Sequence, residues 1–370
     1  MNLVKIRKIF QYDSLLVPII AIALGLIIGA LFMLLGGYNP TVAYVSMIEK
    51  VIGSSYDVGE LLRTIAPLIL SGLAVAIAFK VGLFNIGVDG QIIMGSLGAL
   101  IVGTQLSLPS IIHGIVAVLF GALLGGLWGA IAGYLKGSKG INEVITTIML
   151  NYIALYSSHM MIRAFMPQEG TQRSELIKES ASIKINFLSD MMGGARIHWG
   201  FLIVILVLVF YHYYLNKTKW GYEIRVTGLN IQATKYAGIN SSKIMVRTMF
   251  ISGLFGGLIG TFNVLGVFNY MAISASTSGI GFDGIAVALL GGNTAIGILL
   301  AGILFGILTY GAQGMSFGAG VPNEIGDVVI SAIIFFVSAP GIIKHLLYRF
   351  RNKQKRTENT DETTKSKKGA

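Results

Sequence analysis

The chain has 370 residues, 54% of them hydrophobic and only 12% charged, and its mean hydropathy is +0.73. A soluble domain keeps roughly one-quarter of its residues charged to face water. Hydrocarbon must therefore solvate much of this surface, and the apolar runs lack the strict alternation of a membrane barrel. No cysteine is present, which rules out disulfides and cysteine metal sites, and the five histidines show no metal-ligand spacing.

Apolar runs and their breakers predict about ten transmembrane helices, each needing roughly 20 apolar residues. A basic N-terminal segment, 1–14, precedes the first span at 15–36. Its apolar stretch is longer than that of a secretory signal and ends in no clear small-x-small site, so it reads as an uncleaved helix. Further spans fall at 61–79, 83–103, 111–135 and 141–163, followed by a long outer loop at 164–198. The second set falls at 199–215, 246–268, 273–291, 294–313 and 325–343, with a polar loop, 216–245, after its first member. The expected fold class is an all-α polytopic membrane protein. Its membrane domain covers 15–343, with half one at 15–163 and half two at 199–343, and a basic tail at 346–370 reads as disordered.

An even number of spans puts both termini on one side. Residues 1–14 carry three Lys/Arg, 216–247 carry six and 344–370 carry nine. With the N-terminus inside, 21 of the 28 Lys/Arg lie on the inner side, as the positive-inside rule requires. The expectation is a plasma-membrane protein with both termini cytoplasmic. Basic charge placed this way argues against nucleic acid as a partner.

Two motifs recur. Gly87-Val88-Asp89-Gly90 has a counterpart in Gly281-Phe282-Asp283-Gly284, and Asn142-Glu143-Val144-Ile145 has one in Asn323-Glu324-Ile325. Both pairs are offset by five crossings, an odd number, which predicts two inverted five-helix repeats. In transporters the pathway runs between such repeats, and glycine-broken helices at matching positions mark a site or gate.

An ionised carboxylate at bilayer depth costs at least about 2.5 kcal/mol on insertion scales. Asp89, Glu143, Asp283, Glu324 and Asp327 therefore need a partner or water. They either shape a pathway or serve the helix ends. Asp89 and Asp283 adjoin glycine at a break, and Glu143 and Glu324 follow Asn at a helix start, where negative charge suits the dipole. The candidate pathway residues are Asn85, Asp89, Glu143, Asn151, Asp283 and Asn293. No span carries a ladder of acids, so proton or sodium coupling lacks support. Tyr134, Tyr152, Tyr156, Phe165 and Phe268 to Tyr270 read as interfacial belts.

Residues 216–247 are too polar to cross a membrane. Asn230 can cap a short helix from Ile231 to Ala237, stopped by Gly238. Such a helix suits the docking of a motor domain, or else lies on the membrane surface. Glu223 and Arg225 are expected to fix the loop by ion pairs, with Tyr236 as its aromatic anchor.

The stretches Phe84 to Gln91, Asn142 to Ile145, Thr147 to Tyr152 and Gly281 to Gly291 resemble signature segments of nucleoside-importer permeases. These belong to the bacterial ABC family that also holds the ribose, simple-sugar and branched-chain amino-acid permeases. Glu223, Arg225, Gly228, Asn230, Ala233, Tyr236, Ala237 and Gly238 look like that family's coupling-helix segment. The resemblance covers roughly residues 15 to 343 and implies a permease subunit that passes nucleosides by alternating access, with simple sugars as the alternative cargo. It implies a second permease, identical or related, a cytoplasmic ABC ATPase subunit carrying ATP and Mg, and an extracellular substrate-binding protein or lipoprotein. Any of the aromatic residues named above could then stack on a nucleobase instead of forming a belt. The chain itself is expected to be no enzyme and to bind no cofactor. Its nearest glycine–lysine stretch, Gly133 to Gly140, does not satisfy the P-loop pattern. The rival reading, an ion-coupled secondary transporter, leaves the cytoplasmic loop without a purpose.

Overall fold

The computed structural model describes residues 3–168, 170–339 and 343. Among these the chain is helical, with isolated β-bridges and no strands. The expected tail at 346–370 lies outside the described residues.

Helix α1 (Leu3–Leu35) begins within the segment expected to precede it. It is followed by a helix the sequence reading lacks, α2 (Pro40–Ile52). Asn39 starts α2 by accepting from Thr41 N at 3.0 Å, with proline in the first helical position. Ser54 caps α3 (Ser55–Lys80) by accepting from Asp57 N at 3.1 Å. Then come α4 (Val88–Gln105), α5 (Ser110–Lys139) and α6 (Glu143–Phe165). The segment expected as the outer loop, 164–198, holds a 3-10 turn (Glu179–Ala181) and the short α7 (Asn186–Met191). Next are α8 (Gly200–Lys217), α9 (Lys219–Leu229), α10 (Ile231–Tyr236) and α11 (Ser241–Phe262), which runs into a π turn (Asn263–Phe268). The chain continues through α12 (Ile280–Leu290), α13 (Ala295–Ala319) and α14 (Asn323–Ser338).

Among the described residues, α3, α5, α8, α11 with its π turn, and α13 are long and apolar enough to cross a membrane. Two expected spans are corrected. The one at 83–103 begins late, because residues 81–87 turn without helix before α4. The one at 273–291 contains only α12, whose 11 residues rise about 16 Å. That is too short to span a core of about 30 Å.

Residues 1–44 with 315–370 form one compact unit, and residues 45–314 form another. In the first, α1 packs along α14. A Cβ added to Gly25 or Gly29 would run into Ile333 or Val329. In the second, α4, α5 and α11 meet backbone to backbone. A Cβ on Gly125 would lie 2.5 Å from Gly257 Cα and 2.7 Å from Gly253 O. Lipid tails are as apolar as leucine, so membrane helices are held by this close van der Waals approach of small residues. The outer loop is tied to α3 at Glu60, which is only 2% exposed. That carboxylate accepts from Arg196 N at 2.9 Å, Arg196 Nη2 at 2.8 Å and Arg63 Nε at 2.7 Å. His113 adds a second tie. Val102 O can only accept, at 3.0 Å, so Nε2 carries the proton and Nδ1 accepts from Ser180 Oγ at 2.8 Å.

Candidate functional site

Three of the candidate pathway residues meet around the break before α4. Asn85 is fully buried. Its Oδ1 accepts from Gly87 N at 2.9 Å and its Nδ2 donates to Ser252 Oγ at 2.8 Å. Ser252 in turn donates to Ala74 O at 2.6 Å, so the turn is tied to both α11 and α3. Asn151 on α6 clamps the same turn from another side. Its Oδ1 accepts from Gly90 N at 2.8 Å and its Nδ2 donates to Ile86 O at 2.9 Å. The N-cap position of α4 is Gly87, which has no side chain with which to cap. A residue from a neighbouring helix therefore satisfies an orphan N–H that an N-cap normally serves.

Asp89, 1% exposed, reaches across to the start of α12. Its Oδ1 accepts from Ser278 Oγ at 3.0 Å and from Gly281 N at 3.4 Å. The other oxygen, Oδ2, has no hydrogen-bond partner among the described residues. Asp89 thus caps a helix, but not its own, and the two copies of the GxDG motif touch. Glycine at 281 is required for this approach, since a Cβ there would lie 2.8 Å from Asp89 Oδ2. Ser71 of α3 donates to Ile280 O at 2.8 Å and holds the same helix start.

The remaining candidates stand at helix ends. Asp283 is half-buried in the first turn of α12. Glu143 opens α6, where Asn142 accepts from Val144 N at 2.9 Å, and it pairs with Lys136 Nζ at 2.7 Å. Asn293 adopts a left-handed conformation, φ 54°, in the turn from α12 to α13, and its carbonyl accepts from Tyr211 OH at 3.1 Å. Among the described residues no cluster of three His, Asp or Glu able to hold a metal occurs.

The polar segment expected as a loop around one short helix is two helices. Thr218 caps α9 by accepting from Gly221 N at 3.1 Å. Gly228 lies so close to the end of α3 that a Cβ would collide with Lys80 O. Glu223 forms an ion pair, with Arg247 Nη2 of α11 at 3.0 Å, and that guanidinium lies over the Trp220 ring at 5.0 Å. Arg225 does not pair as expected: it has no carboxylate partner among the described residues, and its Nη1 is buried without a bond. Asn230 caps α10 by accepting from Gln232 N at 2.9 Å and Ala233 N at 3.0 Å. Gly238, φ 74°, supplies the left-handed stop. Only Thr234 of α10 is buried. Ala233 and Ala237 are exposed, and Leu229 and Tyr236 are 86% and 93% exposed.

Residues 58–338 match the family described as branched-chain amino acid transport system / permease component. The chain belongs to this permease family. It is 44% identical to the guanosine ABC transporter permease protein NupP of Bacillus subtilis, over 93% of this chain and 98% of that one. It is 40% identical to the nucleoside ABC transporter permease protein NupB of Lactococcus lactis, over 90% of this chain and 93% of that one. The glucose ABC transporter permease protein TsgB13 of Haloferax volcanii is 28% identical, over 86% of each chain. No solved structure matches.

Several residues of this permease's polar network carried no local signal in the sequence. Ser71, Ser252 and Ser278 have partners that lie far along the chain. Arg247 stood within the basic 216–247 cluster, but its role as the partner of Glu223 depends on α9 being helical.

Proposed function

We propose that this permease is the membrane subunit of an ATP-binding-cassette importer and forms the path by which nucleosides cross the plasma membrane. The observation that carries the substrate class is near-full-length likeness to a guanosine and a nucleoside permease, at 44% and 40%, against 28% for the glucose permease. The second reading, a simple-sugar importer, rests on that last likeness.

In this proposal a separate cytoplasmic ATPase subunit, which holds ATP and Mg, docks on α10, and both termini of the permease are cytoplasmic. The exposed Tyr236 and Leu229 supply apolar anchoring surface there. A second permease, identical or homologous, completes the path, and an extracellular substrate-binding protein delivers the cargo. Movement of α10 passes through α9 to α11 by the Glu223–Arg247 pair, and to α3 by the seat of Gly228 on Lys80. α3 in turn grips the start of α12 through Ser71. Alternating access then centres on the broken helices, with Asn85, Asp89, Asn151 and Asp283 beside the path and Glu143 and Asn293 at the helix ends.

The test is uptake of radiolabelled guanosine, uridine and ribose in cells with and without the gene, before and after ATP depletion. Nucleoside uptake that needs both gene and ATP is expected. Uptake that survives ATP loss but collapses with the ion gradient would make the chain a secondary carrier. Gly238→Pro or Tyr236→Asp should abolish substrate-stimulated ATPase activity in the assembled complex while membrane insertion persists. Normal stimulation would remove α10 from the coupling route.

A further inference from the structure

Most exposed faces of the long helices are what lipid requires. On α5 the exposed residues Ile111, Ile115, Leu119, Leu123 and Leu127 give way to a phenol only at Tyr134, within the last two turns. On α8 the exposed phenol is Tyr213, again near the end. These positions suit the interfacial belt.

Helix α6 departs from that pattern. It is 23 residues long, about 35 Å, yet it is not one of the helices apolar enough to qualify as a span by composition. Tyr152 and Tyr156 are 52% and 61% exposed and flank its midpoint. A helix of that length centred in a hydrocarbon core of about 30 Å would put them near the bilayer centre rather than at the interface. Neither phenol has a hydrogen-bond partner among the described residues, although Tyr156 meets the His159 ring edge-on at 6.2 Å. Residues 152, 156, 159 and 163 follow helical spacing, so one stripe runs phenol, phenol, imidazole, guanidinium toward the C-terminal end of α6, flanked by the exposed Met149 and Met160. Intramembrane polar and ionisable groups face a bundle interior or a water-filled cavity. The buried Asn151 beside this stripe clamps the break of α4, which connects the stripe to the candidate site.

We propose that this face of α6 lines the water-filled path and that Tyr152 and Tyr156 stack on the base of a nucleoside in transit. The identity of the cargo rests on the nucleoside reading above. Every base has a π face, so stacking tolerates different bases, which suits a permease whose selection is made by a delivery protein.

The natural chain has no cysteine, so single Tyr152→Cys and Tyr156→Cys variants report alone. In the assembled transporter each is treated with a membrane-impermeant thiol reagent, with Leu119→Cys as the lipid-facing control. Both should react at least about tenfold faster than the control, and saturating uridine or guanosine should slow them several-fold. Loss of one ring in Tyr152→Leu should lower nucleoside kcat/KM about tenfold, with Tyr152→Phe recovering most of it. Labelling no faster than the control would place the face in lipid. A disulfide between two copies that blocks labelling would make it a permease–permease interface. Either result overturns the proposal. Labelling that nucleosides fail to slow, in a transporter that does import them, rejects the stacking. If the unaltered transporter imports no nucleoside while both cysteines label, the cargo reading fails and the water-lined face stands.

Discussion

Replacing Asn151 by Leu tests whether one side chain holds the break before α4. The two side chains are of similar size, so the loss is confined to two hydrogen bonds, from Gly90 N at 2.8 Å and to Ile86 O at 2.9 Å. A buried backbone group left without a partner costs about 1–3 kcal/mol. Gly90 is fully enclosed and should bear that cost, whereas Ile86 is half-buried and can recover part of it from water. Hydrogen bonds between membrane helices average only about 0.6 kcal/mol in double-mutant cycles, which sets a floor of about 1 kcal/mol for the pair. The expected loss is about 2 kcal/mol, read from denaturant or thermal unfolding of the purified permease. Met149→Leu, on the exposed side of the same helix, should stay within about 0.5 kcal/mol. If Asn151→Leu also stays within that band, Asn151 does not hold the break, and the account of why α4 starts at Val88 is wrong.

A double-mutant cycle of Glu60→Gln with Arg196→Ala should give a coupling of about 1–2 kcal/mol, between the values for surface and buried pairs, because Glu60 is enclosed while the Arg196 side chain is 40% exposed. Gly125→Ala places a Cβ 2.5 Å from Gly257 Cα and should cost about 1–3 kcal/mol by overpacking, seen as a lower melting temperature after solubilisation. Asn230→Ala removes the cap of α10, worth about 1 kcal/mol; hydrogen exchange should quicken in 231–238 and leave α11 unchanged. Burial holds the outer-loop His198 down to about 4, and its Nδ1 accepts from Gly200 N at 3.1 Å, so the folded state keeps it neutral. The unfolded state takes up that proton near pH 6.5. The His198 contribution to stability should therefore fall as pH drops from about 6.5 to about 4 and change no further below that, and His198→Gln should flatten that part of the melting profile.

The long apolar helices were legible because the bilayer demands a length and composition that few other structures need. α2 was not, since its 13 residues mix Ser, Glu and Lys and fall short of a span. The shortness of α12 was missed for another reason: Ser276, Thr277, Ser278 and Gly279 form a loop-type cluster, but counting apolar residues across 273–291 as a whole outweighed that local signal. α9 was missed because Gly221 and Gly228 resemble breakers. Each is instead a point of close packing, against Tyr214 O and Lys80 O. α10 was readable because an Asn cap and a Gly stop are local chemistry. The long-range partners were not: Asp89 could be recognised as a carboxylate beside glycine, but which helix it serves depends on where α12 is brought by the rest of the fold.

The two GxDG copies each place their carboxylate in the first turn of a helix, and through Asp89 the first copy also reaches the start of α12. The kind of contact made there matters for where movement is cheap. α4, α5 and α11 are joined by glycine contacts with no room to slide, so separating them forfeits many close van der Waals contacts at once. The start of α12 meets Asp89 and Ser71 through a few hydrogen bonds, each of modest net strength, while Gly284 and Gly72 seat the helix closely on α3. Such bonds can be exchanged for water as a path opens, and Asp89 Oδ2 already offers an unused acceptor to it. On the coupling route proposed above, a displacement along α3 would carry with it the α12 turns seated on it and exchange the Asp89 bonds for water, while glycine contacts keep α4, α5 and α11 together. The physical expectation is that α12 moves with α3 against the α4–α5–α11 block.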